Sequence, residues 1–485
     1  MSGNLRVMKF GGTSVGDAAR MRAAAEIIAD AAKRSEVLTV VSAMSGVTNR
    51  LVEAAQASAG GDSRAGVELR EALRAQHAAA IESLIPDGTE RARLTGEAEQ
   101  IINDAATLCQ GTAMLRELTP RALDAISSVG ERLSARLMAG ALEELGLRAA
   151  AVEATEVVVT DDEHGQAEPL MDETRARASE RLLPLLAGGV VPVVTGFIGA
   201  TRGGTLTTLG RGGSDYSATI LGAALGASEI IIWTDVPGVM TADPRLVPEA
   251  RTINDISYAE AAELAYFGAK VLHPKTLRPV AEAAIPVWIR NSFEPEKGGT
   301  KITTAGRPSR SGVRAITAIS GVSLITVGGR GIVDVPGVAA KTFTAAASVR
   351  ANVLMISQAS SQNDICFIVN AAEAARTVEA LRRAFAADLA HHQVEHINVD
   401  SEIAVVAAVG ERMRGTPGIA GRLFSALGRR GVNIVAIAQG SSEYNVSFVV
   451  AAGAMRDAVA AIHHEFNLHR RDSRFDAETR ALVGV

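Results

Sequence analysis

The chain has 485 residues, a formal net charge of −5 and two cysteines, Cys109 and Cys366. That length predicts two or three domains with real cores, and the absence of a basic excess argues against nucleic acid as the main partner. Neither cysteine stands in a ligand spacing, the N-terminus lacks a signal-peptide core and no apolar run is long enough to span a bilayer, so a soluble protein of the reducing cytoplasm, with no membrane partner, is expected.

In chain order, Leu5 to Phe10 reads as a buried strand running into Gly11-Gly12-Thr13-Ser14. A helix follows from Asp17, its N-cap, to Lys33. Val37 to Val41 is a second strand, closed by the small-residue loop Ser42 to Asn49, with Thr48 or Asn49 as a candidate cap for the next helix. Residues 60–120 read as a polar helical layer broken at Gly60-Gly61 and Pro86-Asp87-Gly88. Ile126 to Glu131 interrupts the helical pattern as a short strand and turn, before a helix from Leu133 to Leu145. Strands are expected at Ala149 to Val152, Val190 to Val194, Glu229 to Thr234 and Pro286 to Arg290, with helices near Thr174 to Leu186, after Asp215, and from Tyr258 to Lys270. This alternation predicts parallel strands with crossover helices.

The last third repeats itself at a constant offset of 81 residues (439 minus 358). Pro336-Gly337 matches Pro417-Gly418, Phe343 matches Phe424, Asn352 matches Asn433, Gln358-x-Ser360-Ser361 matches Gln439-x-Ser441-Ser442, and Phe367 matches Phe448. Alanine and valine composition does not explain matches carried by Pro, Phe, Gln and Asn. Each copy reads as a small α+β module, and two copies predict a pseudo-symmetric pair.

The densest candidate site is Thr207 to Asp215, TTLGRGGSD, read as a glycine-rich turn between the strand region at 190–194 and a helix N-terminus. Exposed backbone N–H groups there favour an anion. Arg211 offers a bidentate fork for a carboxylate, Gly212 and Gly213 admit close backbone approach, and Asp215 is placed to orient a lysine or a metal. A plain glycine turn is the alternative. Lys9 before Gly11 and Gly12 suits a phosphate, or is an ordinary solvated strand end; no P-loop or strand-linked GxGxxG occurs. The Ser42–Asn49 hydroxyls suit a polar ligand or a cap. Glu131 at a helix start suits a substrate ammonium or complements the helix dipole. Thr234, Asp235, Arg245 and Lys270 follow a strand end where nucleotides bind, and His273 reads as structural.

Taken together, Lys9 to Val15, the Ser42–Asn49 loop, Gly130-Glu131, Gly196 to Gly199, Thr207 to Asp215, Thr234 to Gly238 with Asp243-Pro244-Arg245, and Phe267 to Pro274 resemble the aspartokinase family. The repeat resembles its paired ACT regulatory modules, and the resemblance covers essentially the whole chain. It implies an amino-acid kinase fold, an open and mainly parallel sheet with helices on both faces, followed by two α+β ACT modules. Implied boundaries are 1–300 for the catalytic domain, 301–312 for a linker and 313–485 for the ACT region. There the first module (322–397) would be inserted into the second (313–320 plus 400–470). The implied reaction is ATP-dependent phosphorylation of the side-chain carboxylate of L-aspartate, with Mg²⁺. Another carboxylate-directed amino-acid kinase and a non-catalytic amino-acid sensor are the alternatives.

Carried over by position, Arg211 would hold the α-carboxylate and Glu131 the ammonium, with Ser42, Thr48, Ser214 and Asp215 lining the aspartate site. Lys9, with Gly11, Gly12, Gly212 and Gly213, would meet the phosphoryl group, and Thr234, Asp235, Arg245 and Lys270 the nucleotide. Gln358, Ser360, Gln439 and Ser441 would hold a regulatory amino acid, threonine first and lysine second, their turns being most like those of threonine-sensitive members. Such members are often fused to homoserine dehydrogenase; no dinucleotide fingerprint precedes Val485, so that activity is not expected. Met240 stands where the family often has a tyrosine. A homodimer or homotetramer through the ACT modules is expected.

Overall fold

The structure is a computed structural model and describes residues 4–268, 272–306, 312–330, 335–358, 364–411, 413, 416–438 and 444–470. Two compact units divide the chain. The first takes the chain to Val239, Asn254–Ala261 and the stretch ending at Gly306. The second takes Met240–Ile253, the stretch beginning at Ala262, and everything from residue 312 onward.

The first unit opens with β1 (Leu5–Phe10), α1 (Ala18–Ala32) and β2 (Glu36–Val41). Asp17 caps α1 through its side chain, which accepts the Arg20 N–H at 2.9 Å. A helical layer follows: α2 (Val47–Ala59), α3 (Ala65–Leu84), α4 (Thr89–Leu115), α5 (Pro120–Ser127) and α6 (Val129–Glu144). Then come β3 (Arg148–Val152), β4 (Val159–Thr160), α7 (Met171–Ala187), β5 (Val190–Thr195), β6 (Ile198–Thr201) and β7 (Leu206–Thr208). Next are α8 (Gly213–Leu225), β8 (Glu229–Thr234), β9 (Asp255–Ser257), α9 (Tyr258–Tyr266, counted with the second unit from Ala262 on), α10 (Pro274–Glu282), β10 (Val287–Asn291) and β11 (Thr300–Thr303).

Eight strands form one sheet in the order β3-β5-β2-β1-β8-β10-β11-β9. Only the β10–β11 pairing is antiparallel. The chain steps outward from β1 to β2 and on to the edge strand β3, comes back to insert β5 between β3 and β2, and then crosses through α8 to lay β8 on the other side of β1. Ligands bind where an open sheet reverses its order in this way, beyond the carboxyl ends of the strands. Helices α1 and α6 pack together on one face, α7 and α8 on the other. Close approach of α8 depends on Gly222, where a Cβ would lie 2.4 Å from Ile230 Cδ1.

Several local expectations are corrected. Ile126 to Glu131 is helical, not a strand: Thr119 caps α5, Pro120 starts it, and the Ser127 and Ser128 hydroxyls donate back to the Asp124 and Ala125 carbonyls (3.3 and 2.8 Å). Such back-bonding holds serines within a helix. The cap of α2 is Gly46 at φ 79°, so Thr48 lies inside the first turn. The glycine-rich turn is not joined directly to β5; β6 and β7 intervene as an antiparallel pair in a small sheet with β4. Residues 301–303, expected at the start of a linker, belong to β11 (Thr300–Thr303) in the main sheet.

The second unit contains β12 (Ala315–Gly328), α11 (Val338–Ser348), β13 (Met355–Gln358), β14 (Asp364–Asn370), α12 (Ala371–Ala384) and α13 (Ala386–Ala390). These are followed by β15 (His396–Val409), α14 (Ile419–Arg429), β16 (Ile434–Ala438), β17 (Asn445–Ala451) and α15 (Met455–Glu465). The six strands are antiparallel in the order β13-β14-β12-β15-β17-β16. β12, α11 and β14 recur as β15, α14 and β17 at the same 81-residue offset, first residue to last. The edge-on pair Phe343–Phe367 recurs as Phe424–Phe448.

Two apolar cores result. Ile325, Val327, Phe367 and Ile397 share one. Ile316, Val406, Leu423 and Phe448 share the other, joined by Ala242 and Val247 from the segment that precedes β9. That segment is also tied by backbone: the Ile316 N–H donates to Thr241 O at 2.8 Å, and Thr241 Oγ1 meets His463 Nε2 at 3.0 Å.

Candidate active site

The first unit holds a cavity of about 300 Å³ lined by Lys9, Ser42, Thr48, Glu131, Phe197 and the run Gly210, Arg211, Gly212, Gly213, Ser214 and Asp215. Each comes from the carboxyl end of a strand or the amino end of a helix. Lys9 is the penultimate residue of β1, buried at 7 % exposure, with Nζ 2.5 Å from Asp215 Oδ1. The glycines after it keep the space open. A Cβ on Gly11 would stand 3.2 Å from Lys9 Nζ, and one on Gly12 would stand 3.0 Å from Ala43 O.

Glu131 sits in the first turn of α6 and is buried. The Ala43 N–H donates to its Oε1 at 3.1 Å, while Oε2 is buried with no partner among the described residues. Burial pushes this carboxyl up to about 8, against the opposing pulls of the Ala43 N–H and the Lys9 charge. The contact requires Gly130, where a Cβ would lie 2.5 Å from Ala43 Cβ. An orphaned acceptor in a cavity beside a fixed lysine is suited to receive a donor from a ligand.

The glycine-rich turn is shaped by left-handed backbone at Gly210 (φ 76°) and Gly212 (φ 73°). Gly212 caps α8, so Ser214 and Asp215 occupy its first turn, where backbone N–H groups are free and the helix dipole favours negative charge. Arg211 is exposed and has no ion pair among the described residues.

Phe197 was not among the expected site residues, although Gly196 to Gly199 belonged to the recognised pattern. It adopts φ 71°, a left-handed conformation that costs a bulky residue about 1–3 kcal/mol. Three contacts hold it there: its N–H donates to Ser217 Oγ (2.9 Å), its carbonyl accepts from Leu209 (2.9 Å), and its ring edge fills the place a Cβ on Gly213 would need (2.7 Å).

Of the expected nucleotide residues, Thr234, Asp235 and Arg245 do not line this cavity. Gly11 and Gly12 adjoin it through Lys9. Thr234 ends β8, with its Oγ1 donating to the exposed Asp235 Oδ1 at 3.2 Å. Arg245 belongs to the second unit and its guanidinium is taken by Asp243 at 2.6 Å. Lys270 lies outside the described residues, as do Ser360, Gln439 and Ser441 of the expected effector site. Gln358 ends β13, exposed. His273 caps α10 by accepting the Lys275 N–H, a structural role.

Residues 4–291 match the amino acid kinase family, and residues 325–385 and 406–466 each match the ACT domain. Aspartokinase 1, chloroplastic, of Arabidopsis thaliana is 32% identical over 475 residues, covering 95% of this chain and 80% of that protein. The chain belongs to the aspartokinases. Within that family, bifunctional aspartokinase/homoserine dehydrogenase 1, chloroplastic, of Arabidopsis thaliana is 36% identical over 471 residues, 96% of this chain. This chain spans about half (51%) of that relative's length. Among solved aspartokinases, E. coli aspartokinase III in complex with aspartate and ADP superposes with a TM-score of 0.79 at 32% identity, over 95% of this chain and 99% of that one. The same enzyme in complex with lysine and aspartate gives 0.77. The expected fold, a mainly parallel kinase sheet followed by two ACT modules, is therefore the fold of this aspartokinase-family chain. No helix among the described residues is long and apolar enough to cross a membrane.

Proposed function

We propose that this chain phosphorylates the side-chain carboxylate of L-aspartate with ATP, giving 4-phospho-L-aspartate, the first step toward lysine, threonine, methionine and diaminopimelate. The observation that carries this reading is one cavity offering three ionisable groups suited to an amino acid with a second carboxylate: Arg211, Glu131 with an Oε2 unpartnered among the described residues, and Lys9. Arg211 clamps the α-carboxylate, Glu131 takes the ammonium, and Ser42, Thr48 and Ser214 orient the substrate. The aspartate and ADP bound in E. coli aspartokinase III support the choice of substrates.

The nucleophile is already ionised at neutral pH, so no general base is required. The barrier is repulsion between a carboxylate and a polyphosphate, and catalysis is positioning plus neutralisation of charge. Lys9 leaves its ion pair with Asp215 to lie between the reacting carboxylate and the γ-phosphoryl group. The Gly212 N–H and the N–H groups of Ser214 and Asp215 in the first turn of α8 stabilise the charge that develops on the phosphoryl oxygens, while Gly213, whose own N–H is held by the Gly210 carbonyl at 3.0 Å, admits close approach of the backbone. Gly11 and Gly12 let the phosphates approach the backbone, while Thr234, Asp235, Arg245 and Lys270 serve the nucleotide. Asp215, the carboxylate that lines the cavity beside Glu131, fits the sparse protein ligation Mg²⁺ takes when phosphate oxygens and water complete its shell. Mg²⁺ there would neutralise phosphate charge.

The ACT pair is the feedback device, with Gln358, Ser360, Gln439 and Ser441 around a small amino acid, threonine first and lysine second. Lysine in the second E. coli structure supports an amino-acid effector. About 1–3 kcal/mol of coupling suffices for such inhibition. The functional division is a catalytic region near 1–300 followed by the ACT region, and the assembly is a dimer or tetramer through ACT modules.

A hydroxylamine trap for acyl phosphate tests the reaction. Aspartate with MgATP gives a hydroxamate, and glutamate does not. A signal with glutamate alone, or with neither, overturns the assignment. Titrating millimolar threonine and lysine into the same assay identifies the effector; an unchanged rate with both overturns the regulatory part.

A further inference from the structure

We propose that Asp124, which does not line the cavity, is a positioning residue that holds the Arg211 turn at a fixed span from Glu131. The inference rests on the substrate reading above. Asp124 lies on α5 at 2 % exposure, and its two oxygens tie down two other segments. Oδ1 accepts from Thr208 Oγ1 at 2.6 Å. Oδ2 accepts from the Gly165 N–H at 3.1 Å and faces His164 Nδ1 at 2.7 Å. A buried carboxylate is expensive unless its acceptors are filled, and here three donors converge on it.

Each tie leads to the cavity. Thr208 ends β7, and Gly210 and Arg211 follow almost at once. The Gly165 carbonyl backs that turn, because a Cβ on Gly210 would lie 2.9 Å from it. On its other side, α5 passes through Ser128 directly into α6, which carries Glu131 in its first turn. A second bond runs alongside, between the hydroxyls of Thr160 and Thr207 at 2.7 Å. Asp124 thus joins the wall that holds the substrate's carboxylate to the helix that holds its ammonium. Those two anchors grip the substrate's α-carboxylate and ammonium in ground and transition state alike, so a change in their span weakens aspartate binding with little change in kcat.

Three variants test this in the full chain: Thr208→Val, which deletes one hydroxyl, Thr208→Ser, which keeps it, and Asp124→Asn. Thr208→Val and Asp124→Asn should raise the aspartate KM about tenfold while kcat stays within about threefold. Their preference for aspartate over glutamate should shrink and ADP affinity should hold. Thr208→Ser should restore the wild-type KM. If Asp124→Asn does not fold, the two Thr208 variants carry the test. An aspartate KM unchanged in a folded Thr208→Val protein, or a fall in kcat with KM constant, overturns the positioning role, because lost stability alone removes active molecules without moving KM. A wild-type chain inert toward aspartate overturns the substrate reading itself and this inference with it.

Discussion

A carboxyl held by burial near a pKa of about 8 is mostly protonated at neutral pH, and burial holds Glu131 there. A bound ammonium favours the ionised form, so aspartate binding should release a proton. Affinity for aspartate should rise with pH up to about 8 and then level. Calorimetry in two buffers of different ionisation enthalpy reads the released proton directly, and Glu131→Gln should abolish both the release and the pH dependence while weakening binding. For the fold the sign is opposite: a folded pKa raised above the ordinary 4.5 adds stability that is fully present below 4.5 and is lost as pH rises through about 8. At Lys9 the effect falls on chemistry. Lys9→Ala should lower kcat by about 10²–10³-fold with a modest change in aspartate KM, and a near-normal kcat would sink its role. Lys9, Glu131, Arg211 and Asp215 were legible because each stands beside the glycines that open backbone around a ligand. Phe197 was not legible as a wall of the cavity: its φ is imposed by Ser217 and Leu209, and nothing in the side chain announces it.

Secondary-structure elements approach one another here through glycines, which makes their spacing sensitive to a single methyl group. Gly130→Ala would press α6 against Ala43 and should destabilise the chain by about 1–3 kcal/mol in urea titration while raising aspartate KM, since the Glu131–Ala43 bond is made across that contact. The helical layer carries its own pH sensitivity. His77 of α3 is fully buried, with Nδ1 on the Leu73 carbonyl and Nε2 unpartnered among the described residues, and burial lowers its pKa below the ordinary 6.5. Its contribution to stability is present above 6.5 and lost as pH falls below it, because the unfolded chain takes the proton first. His77→Leu should flatten the acid side of the stability profile. Most strands and helices of the kinase sheet were legible from apolar runs bounded by glycine. The helix over 126–131 was not, because a β-branched residue beside two serines imitates a strand, and the Asp124 and Ala125 carbonyls that retain those serines appear only in the fold.

Across the whole molecule, the duplication was the most legible feature, since Pro, Phe, Gln and Asn recur in register and the element boundaries recur with them. The mixed ownership of the chain was not legible. The segment Met240–Ile253 lies within the stretch that matches the kinase family, yet Ala242 and Val247 pack with Ile316 and Phe448. Phe267 follows the same pattern, accepting from Thr317 Oγ1 at 2.7 Å. Burial against residues some 50 to 200 positions away leaves no local trace in composition. It does set the rules for recombination. A chimaera joined at residue 306, meant to exchange one effector specificity for another, would inherit Ala242, Val247 and Phe267 from one parent and the surfaces they fill from the other. Such hybrids should express poorly until those two short segments are transplanted with the regulatory half, and the rescue would be scored by soluble yield and by return of the transition temperature.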